Sequence, residues 1–424
     1  MKQQIIDLIN REVIPAIGCT EPIAVALCTA KAAELLGTKP EKIELFLSGN
    51  IIKNAMGVGI PGTGGMIGLP IAVALGALIG KSEYQLEVLR DCNPEAVELG
   101  KKYIDERRIH ISLKETDEKL YIEVICSAGD KKSVAIIAGN HTNFIHLEAN
   151  GEVLHHQELG ASQEGETNTD PQLTLRQVWD FAMNTPVEDL RFILKTKELN
   201  DALSKESLQN HFGHEVGCTI RDSVKKYQMF GDYTYMHILS RTAAACDARM
   251  AGCPMAAMSN SGSGNQGISA TMPVVVYAED HNATEEQMIR ALTLSHLTVI
   301  YIKQTLARLS ALCGCVVAST GSACGLTYLM GGNFDAVCYA VKNMIASLTG
   351  MICDGAKPSC AFKVSSSVSA AVFSALMAVE NKTVTSVEGI IAQDVDDSIR
   401  NLTEVGRDGM LETDRLILDI MLKK

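Results

Sequence analysis

Aromatic side chains are scarce: phenylalanine, tyrosine and tryptophan make up 5% of 424 residues, with a single tryptophan. A β-sandwich whose core leans on large flat rings is therefore disfavoured, and closely packed helices are favoured. Excess positive charge is also missing, with a net charge of −12 and a pI near 5.4. Nucleic acid and anionic membranes both ask for a basic patch, so neither is the expected partner. Long unbroken apolar runs are absent. The weakly charged stretches Met56 to Ile79 and Val364 to Ala378 are interrupted by glycines or serines and lack flanking anchors, so no membrane span is expected. There is no phosphate-binding P-loop, no dinucleotide fingerprint behind a strand, and no pair of Cys-x-x-Cys motifs of the zinc type. The opening Met-Lys-Gln-Gln-Ile-Ile-Asp-Leu-Ile-Asn has helical spacing and no signal-peptide core, and a cytoplasmic protein is expected.

What is present is a chain 46% hydrophobic, long enough to bury a large core and to form two or three domains. Residues 2 to 37 read as two helices split at Pro15 to Pro22, the second stopping at Gly37 in a glycine C-cap position. Strand-like runs follow at Ile43 to Leu47, Ile109 to Leu113, Leu120 to Ile125, Ser133 to Ala138 and Phe144 to Leu147. Helices are expected at Gly65 to Ile79 and Pro94 to Arg107. The polar segment Gln157 to Asp170 reads as a linker. From Leu173 onward the pattern is helical, with glycine and serine breaks and no repeat. The expected class is α+β: an N-terminal helical segment (1–37), a small α/β domain (38–160) and a larger, mostly helical bundle (161–424).

Thirteen cysteines, an odd number without a secreted-domain framework, point to a reducing compartment where thiols serve metals or chemistry. Most buried free cysteines are simply small apolar side chains. Cys313, Cys353 and Cys360 look different, because three thiolates can anchor a four-iron cluster and leave one iron without a protein ligand, free to act as a Lewis acid. Cys315 and Cys324 lie near Cys313 in the chain and compete with it for that role. Cys19 stands just before Glu21-Pro22 at an expected helix start, a setting that lowers a thiol pKa. The glycine-rich stretch Ser261 to Gly267 offers backbone N–H groups and short polar side chains suited to a carboxylate. Lys53 and Asn54 follow a strand and precede Pro61-Gly62-Thr63-Gly64-Gly65, where they would form another wall. Arg241 and Arg249 with Asp247 read as internal ion pairing. His141, Lys357 and Lys363 have no assigned role.

The intervals of 40 residues from Cys313 to Cys353 and seven from Cys353 to Cys360 are similar to those of the oxygen-sensitive L-cysteine desulfidases, relatives of the iron-sulfur L-serine dehydratase alpha chain. Pro-Ala-Ile-Gly-Cys-Thr-Glu-Pro (Pro15 to Pro22), Ser-Gly-Asn-Ile-Ile-Lys-Asn (Ser48 to Asn54) and Ser-Gly-Ser-Gly-Asn-Gln-Gly-Ile (Ser261 to Ile268) also resemble signatures of that family. The resemblance implies a 4Fe-4S cluster with one open iron on Cys313, Cys353 and Cys360, and selects Cys313 over Cys315. It implies Cys19 as the catalytic base, and Ser261, Asn265 and Gln266, with Lys53 and Asn54, as substrate contacts. The implied reaction is β-elimination of L-cysteine to hydrogen sulfide, ammonia and pyruvate. Elimination from L-serine is the nearest alternative, and a redox sensor without turnover is a further one. A setting for a Schiff-base lysine is not evident, and pyridoxal phosphate chemistry explains fewer residues. Assembly as a homodimer is left open.

Overall fold

A computed structural model describes residues 1–158, 170–227, 231–306 and 310–423. Eight strands occur among these residues: β1 (Pro15–Ile17), β2 (Lys42–Leu47), β3 (Ile109–Leu113), β4 (Tyr121–Ala128), β5 (Lys131–Ala138), β6 (Phe144–Ala149), β7 (Glu152–His156) and β8 (Ala256–Met258). Six of them form one mixed sheet in the order β3-β2-β4-β5-β6-β7, in which only β2 and β3 run parallel. Alternation explains the sheet. Ile43, Leu45 and Leu47 of β2 and Ile122, Val124 and Cys126 of β4 are fully buried on one face, as a period of two requires.

The Thr20–Leu36 helix covers that face and packs on the Leu69–Ile79 helix, which is followed in space by Pro94–Asp105. A Cβ on Gly76 would lie 2.5 Å from the Ala26 carbonyl oxygen, so glycine is what lets the first two backbones approach. The Thr20–Leu36 helix ends at Gly37 with φ of 71°, the left-handed cap expected from the sequence. The helix expected from Gly65 begins only at Leu69, because Gly65 and Gly68 have φ of 98° and 89°. β7 was not expected. Every residue of it is exposed, so the edge strand carries no apolar alternation to detect.

The second half of the chain is helical. Gly264–Asp280, Glu285–Leu306, Gly314–Leu329 and Cys360–Val379 pack with Thr234–Met250 around a separate apolar core. Small residues set the spacing here as well. A Cβ on Gly321 would stand 2.4 Å from the Ser295 carbonyl oxygen. Cys360–Val379 is by length and composition apolar enough to cross a membrane, but it packs against Thr234–Met250, Gly314–Leu329 and Phe334–Leu348 within the helical half. The architecture is α+β, a helical domain beside a small sheet domain.

The first 37 residues divide between the two cores. Ile5, Leu8 and Ile9 of the Lys2–Glu12 helix join the helical core, whereas Ile23 to Leu36 join the sheet core. Between them β1 pairs antiparallel with β8, aligning Pro15 with Met258 and Ile17 with Ala256. That pairing carries Cys19 to the helical half. Most of the expected linker Gln157 to Asp170, and the boundary placed within it, lies outside the described residues.

Candidate functional site

Cys313 and Cys353 are held by a short antiparallel contact between distant segments. The Cys313 N–H donates to Met351 O (2.9 Å) and the Cys353 N–H to Ala311 O (2.7 Å), on either side of a bridge between Leu312 and Ile352. Cys313 is the N-cap of Gly314–Leu329, and Cys360 is the first residue of Cys360–Val379. Two helix N-termini therefore present thiols at one place, where backbone N–H groups and the helix dipole favour negative charge. Between Cys353 and Cys360 the chain turns through Gly355, with φ of 90°. A Cβ there would sit 2.1 Å from Lys53 O, so only glycine lets this loop lie on the sheet half.

Charge accumulates around these thiols. Lys357 and Lys363 both pair with Asp354, and the Lys363 ammonium donates to Ile352 O at 2.8 Å. The Cys313 thiol is lowered to about 7, first by a hydrogen bond from Cys315 and further by Lys363 and Lys357. Burial raises Cys353, and pushes Cys360 up to about 11; the Cys313 charge adds to both. Cys246, on Thr234–Met250, is fully buried, and its thiol is raised by burial and then by Cys360. Five thiols thus feel one another, since Cys315 responds to Cys246 and Cys360 as well as to Cys313. Mutual repulsion of thiolates is what a cationic guest relieves.

Among the described residues, no three His, Cys, Asp or Glu side chains stand close enough to hold a single metal ion. A four-iron cluster distributes its sulfur bonds over several irons and is reached by thiols further apart. The donor set of Cys313, Cys353 and Cys360, with two helix N-termini and two lysines beside it, therefore fits an iron–sulfur cluster better than a lone ion.

Cys19 occupies the N-cap of Thr20–Leu36, but its thiol does not behave as that position alone predicts. It is raised well above its ordinary value, mainly by burial and next by Glu21, whose carboxylate Oε2 accepts its hydrogen bond at 2.9 Å. The expected lowering by the helix N-terminus is outweighed, because desolvation of a thiolate exceeds what one dipole returns. Cys19 Sγ also lies 3.9 Å from Asn54 O. Asn54 links to the cysteine loop through its neighbour Lys53, whose carbonyl lies beneath Gly355, while Cys360 Sγ is 3.7 Å from Gly355 O. Lys53 itself is 2% exposed, and its ammonium is paired with Asp414 of the C-terminal helix Leu411–Leu422. Its charge acts on Cys353 from there, favouring the thiolate.

The Ser261 to Gly267 segment forms the turn into Gly264–Asp280. Ser263 caps this helix by accepting from the Gln266 N–H at 3.4 Å. The turn is pinned from behind: Asn260 Nδ2 donates to His296 Nδ1 (3.0 Å), and His296 Nε2 meets Thr271 Oγ1 (3.0 Å). Because the amide nitrogen is a donor, His296 carries its proton on Nε2. Ser261 adopts φ of 47°, and its hydroxyl donates to Asn260 Oδ1 at 2.8 Å. Asn265 Oδ1 accepts from Arg249 Nη1 at 3.1 Å, and the buried Gln266 side chain lies against Gly314, next to Cys313.

The expected ion pairing of Arg249 with Asp247 does not form. Arg241 is the ion-paired one, bound to Asp201 and Glu279. Arg249 donates instead to Asn265 and, through Nη2, to Gly18 O at 2.9 Å, and its charge reaches Cys19 and Cys246. Asp247 Oδ2 accepts the Gly217 N–H, and burial raises its carboxyl to about 7. A cavity of about 420 Å³ opens beside this arginine, between the helical half and the β5–β6 turn that carries His141.

The structure thus brings Cys313, Cys353 and Cys360 together, places Cys19 and Asn54 next to them through Lys53, sets Gln266 against Gly314 beside Cys313, joins Asn265 through Arg249 to Gly18, and ties the Ser261 hydroxyl to Asn260. Sequence reasoning missed Glu21, Arg249, Cys246 and Asp414 as neighbours of the site. Only Glu21 carried a local signal, two positions beyond Cys19.

The family model of the serine dehydratase alpha chain matches residues 83–419. The chain belongs to that family. Serine dehydratase alpha chain similarity thus covers Cys313, Cys353, Cys360 and the Ser261–Gln266 turn, while Cys19 and Lys53 precede the matched interval. Full-length relatives include a UPF0597 protein of Bacteroides thetaiotaomicron, 64% identical over 424 residues, covering all of this chain and 98% of that one. A UPF0597 protein of Porphyromonas gingivalis is 53% identical, covering 100% and 99% of the two chains. One of Oleidesulfovibrio alaskensis is 44% identical, covering 99% and 97%.

Proposed function

We propose that this serine dehydratase-like protein is an iron–sulfur-dependent cytoplasmic lyase that eliminates hydrogen sulfide from L-cysteine. The observation that carries the reading is the convergence of Cys313, Cys353 and Cys360 at two helix N-termini, beside the Cys19–Glu21 pair. Cys313, Cys353 and Cys360 would hold a 4Fe-4S cluster, which when bound would supply an iron without a protein ligand, a Lewis acid with affinity for a departing sulfur.

The remaining chemistry belongs to side chains. Cys19 Sγ–H passes its proton to Glu21 Oε2, with which it is already hydrogen bonded, and the nearby Arg249 charge favours the thiolate that results. The thiolate then takes the proton from the substrate α-carbon as the β-carbon–sulfur bond breaks, and the proton held by Glu21 goes to the departing hydrosulfide, which restores the pair. Aminoacrylate leaves and hydrolyses to pyruvate and ammonia. Burial keeps water away from the thiolate, which strengthens it as a base. L-Serine is the second substrate, favoured by the family description, because its hydroxyl is expelled by the same arrangement and differs modestly in size from a thiol.

The test is anaerobic reconstitution with iron and sulfide, followed by parallel assays of pyruvate from L-cysteine and L-serine. Turnover that disappears in Cys313→Ala with its iron, and in Cys19→Ala with iron retained, supports the mechanism. An intact cluster without turnover on either substrate would replace it with a sensor role, and failure to take up iron would return these cysteines to core packing.

A further inference from the structure

Two histidines of the sheet half face one another at its edge. His146 of β6 and His156 of β7 are register partners, and their Nδ1 atoms lie 3.3 Å apart with the rings at 81° to each other. Regular pairing breaks on both sides of His146. The register slips between Ile136 and Ile137 in the β5–β6 ladder and between Leu147 and Glu148 in the β6–β7 ladder. Irregularities of this kind bend a strand and re-aim its side chains. Every residue of β7 is exposed, so core packing does not fix His156 against His146.

Glu148 is the third member of the group, with its Oε2 at 3.4 Å from His146 Nε2. A carboxylate only accepts, so His146 carries its proton on Nε2 and turns the lone pair of Nδ1 toward His156. A carboxylate on the far nitrogen is also what orients a metal-binding imidazole and raises its basicity. The spacing of the two Nδ1 atoms separates a shared proton from a shared cation. Hydrogen bonds from N–H groups centre on about 3.0 Å, whereas two nitrogens at about 2.0–2.1 Å from one tetrahedral ion stand about 3.3–3.4 Å apart.

We infer that His146 Nδ1 and His156 Nδ1 are the two protein ligands of a site for a divalent transition cation of the Zn²⁺ type, with Glu148 orienting His146 from behind. Among the described residues no third His, Cys, Asp or Glu joins them, so water completes the coordination. The cation needs the lone pairs of both Nδ1 atoms. The proton of His156 therefore sits on its Nε2 in the bound state, and each ring stays neutral. Bound in this way, the cation pins the exposed edge strand β7 to β6. The site stands apart from the cysteines and from the lyase reading, and neither histidine lines the cavity beside Arg249.

The probe is Zn²⁺ added to the full-length protein, read by hydrogen exchange of the β6–β7 hairpin with mass spectrometry. The readout is local, so zinc taken up by cysteines elsewhere does not enter it. Saturating Zn²⁺ should slow exchange in residues 152–156 by at least about fivefold in the parent protein. The slowing should vanish in His146→Ala and in His156→Ala. It should persist in His155→Ala, because residue 155 pairs with Leu147 and points to the other face of the sheet. Glu148→Gln should need about tenfold more zinc for the same effect. Mg²⁺ should be without effect, since it prefers oxygen ligands. If an alanine variant exchanges the hairpin too fast for comparison, equilibrium dialysis carries the test, with His156→Gln expected to bind one zinc fewer than the parent. Zinc without effect on β7 in the parent, slowing that survives in both His146→Ala and His156→Ala, or equal zinc uptake by His156→Gln, overturns the inference and leaves a hydrogen bond between two rings.

Discussion

The sheet half and the helical half bury cysteines equally well and put them to different uses. Cys28 and Cys126 lie at 0% exposure beneath the sheet, with Cys28 Sγ 3.2 Å from Ala135 O. Burial drives both thiols upward, Cys126 to about 12, and at Cys28 the neighbouring Cys126 and Glu123 add to the rise. Cys313 is almost as buried at 6%, yet its thiol is lowered to about 7. The difference lies in placement. Cys28 and Cys126 sit in the middle of a helix and a strand, where backbone groups are already paired, whereas Cys313 receives a hydrogen bond from Cys315 and feels Lys363 and Lys357; Cys360, also at a helix start, is still pushed up to about 11 by burial. Burial alone says nothing about reactivity; the electrostatic setting of the buried thiol decides it.

The sharpest way to break this comparison is iron uptake. After anaerobic reconstitution, Cys353→Ala and Cys360→Ala should lose the cluster absorbance and bound iron almost completely, while Cys28→Ala and Cys126→Ala should match the parent protein. Equal loss in the sheet variants would erase the distinction between the two halves. Next in size is the base. Cys19→Ser should lower the rate of pyruvate release by about 10²–10⁴-fold with iron content unchanged, and Glu21→Gln should fall between the two. A Glu21→Gln rate equal to that of the parent would remove the carboxylate from the proton path.

The two halves are also joined by charge. Lys53 belongs to the sheet half and Asp414 to the last helix, and chemical denaturation of Lys53→Met should show a loss of roughly 2–4 kcal/mol, less than for a fully enclosed pair because Asp414 stays partly in water. An unchanged unfolding midpoint would mean the pair does not hold the halves together. The smallest effect concerns His296, whose pKa is lowered to about 3 by burial. Folded His296 stays neutral while the unfolded chain takes up a proton below about 6.5, so stability is lost as pH falls through that value. The cost at pH 5 relative to pH 7 should be about 2 kcal/mol from this residue, and His296→Gln should flatten that part of the stability–pH curve. A slope that survives the substitution would assign it to other groups.

Legibility followed the range of the forces involved. The Gly37 cap and the alternation of β2 and β4 are local effects of backbone sterics and side-chain period, whereas the helix expected from Gly65 starts only at Leu69, because composition does not show that Gly65 and Gly68 take positive φ. β7 escaped notice because an exposed edge needs no alternation. Cys313, Cys353 and Cys360 were singled out by spacing, but nothing local marks Cys246, which reaches the same place from a helix more than sixty residues upstream of Cys313. Arg249 was read as the partner of Asp247, two positions before it, while its real acceptors, Gly18 and Asn265, include one 231 residues away.

By itself, then, the sequence determined an acidic α+β chain with small-residue helices, and the cysteine intervals and glycine-rich turn from which a site could be assembled, because these depend on residue type and short-range geometry. Tertiary structure decided which thiols lie at helix starts beside lysines, that Cys19 is held as a thiol by burial and Glu21, and that Arg249 is enclosed without a carboxylate. Those properties depend on desolvation and on charges brought from distant parts of the chain, and both exist only once the two halves have closed on one another.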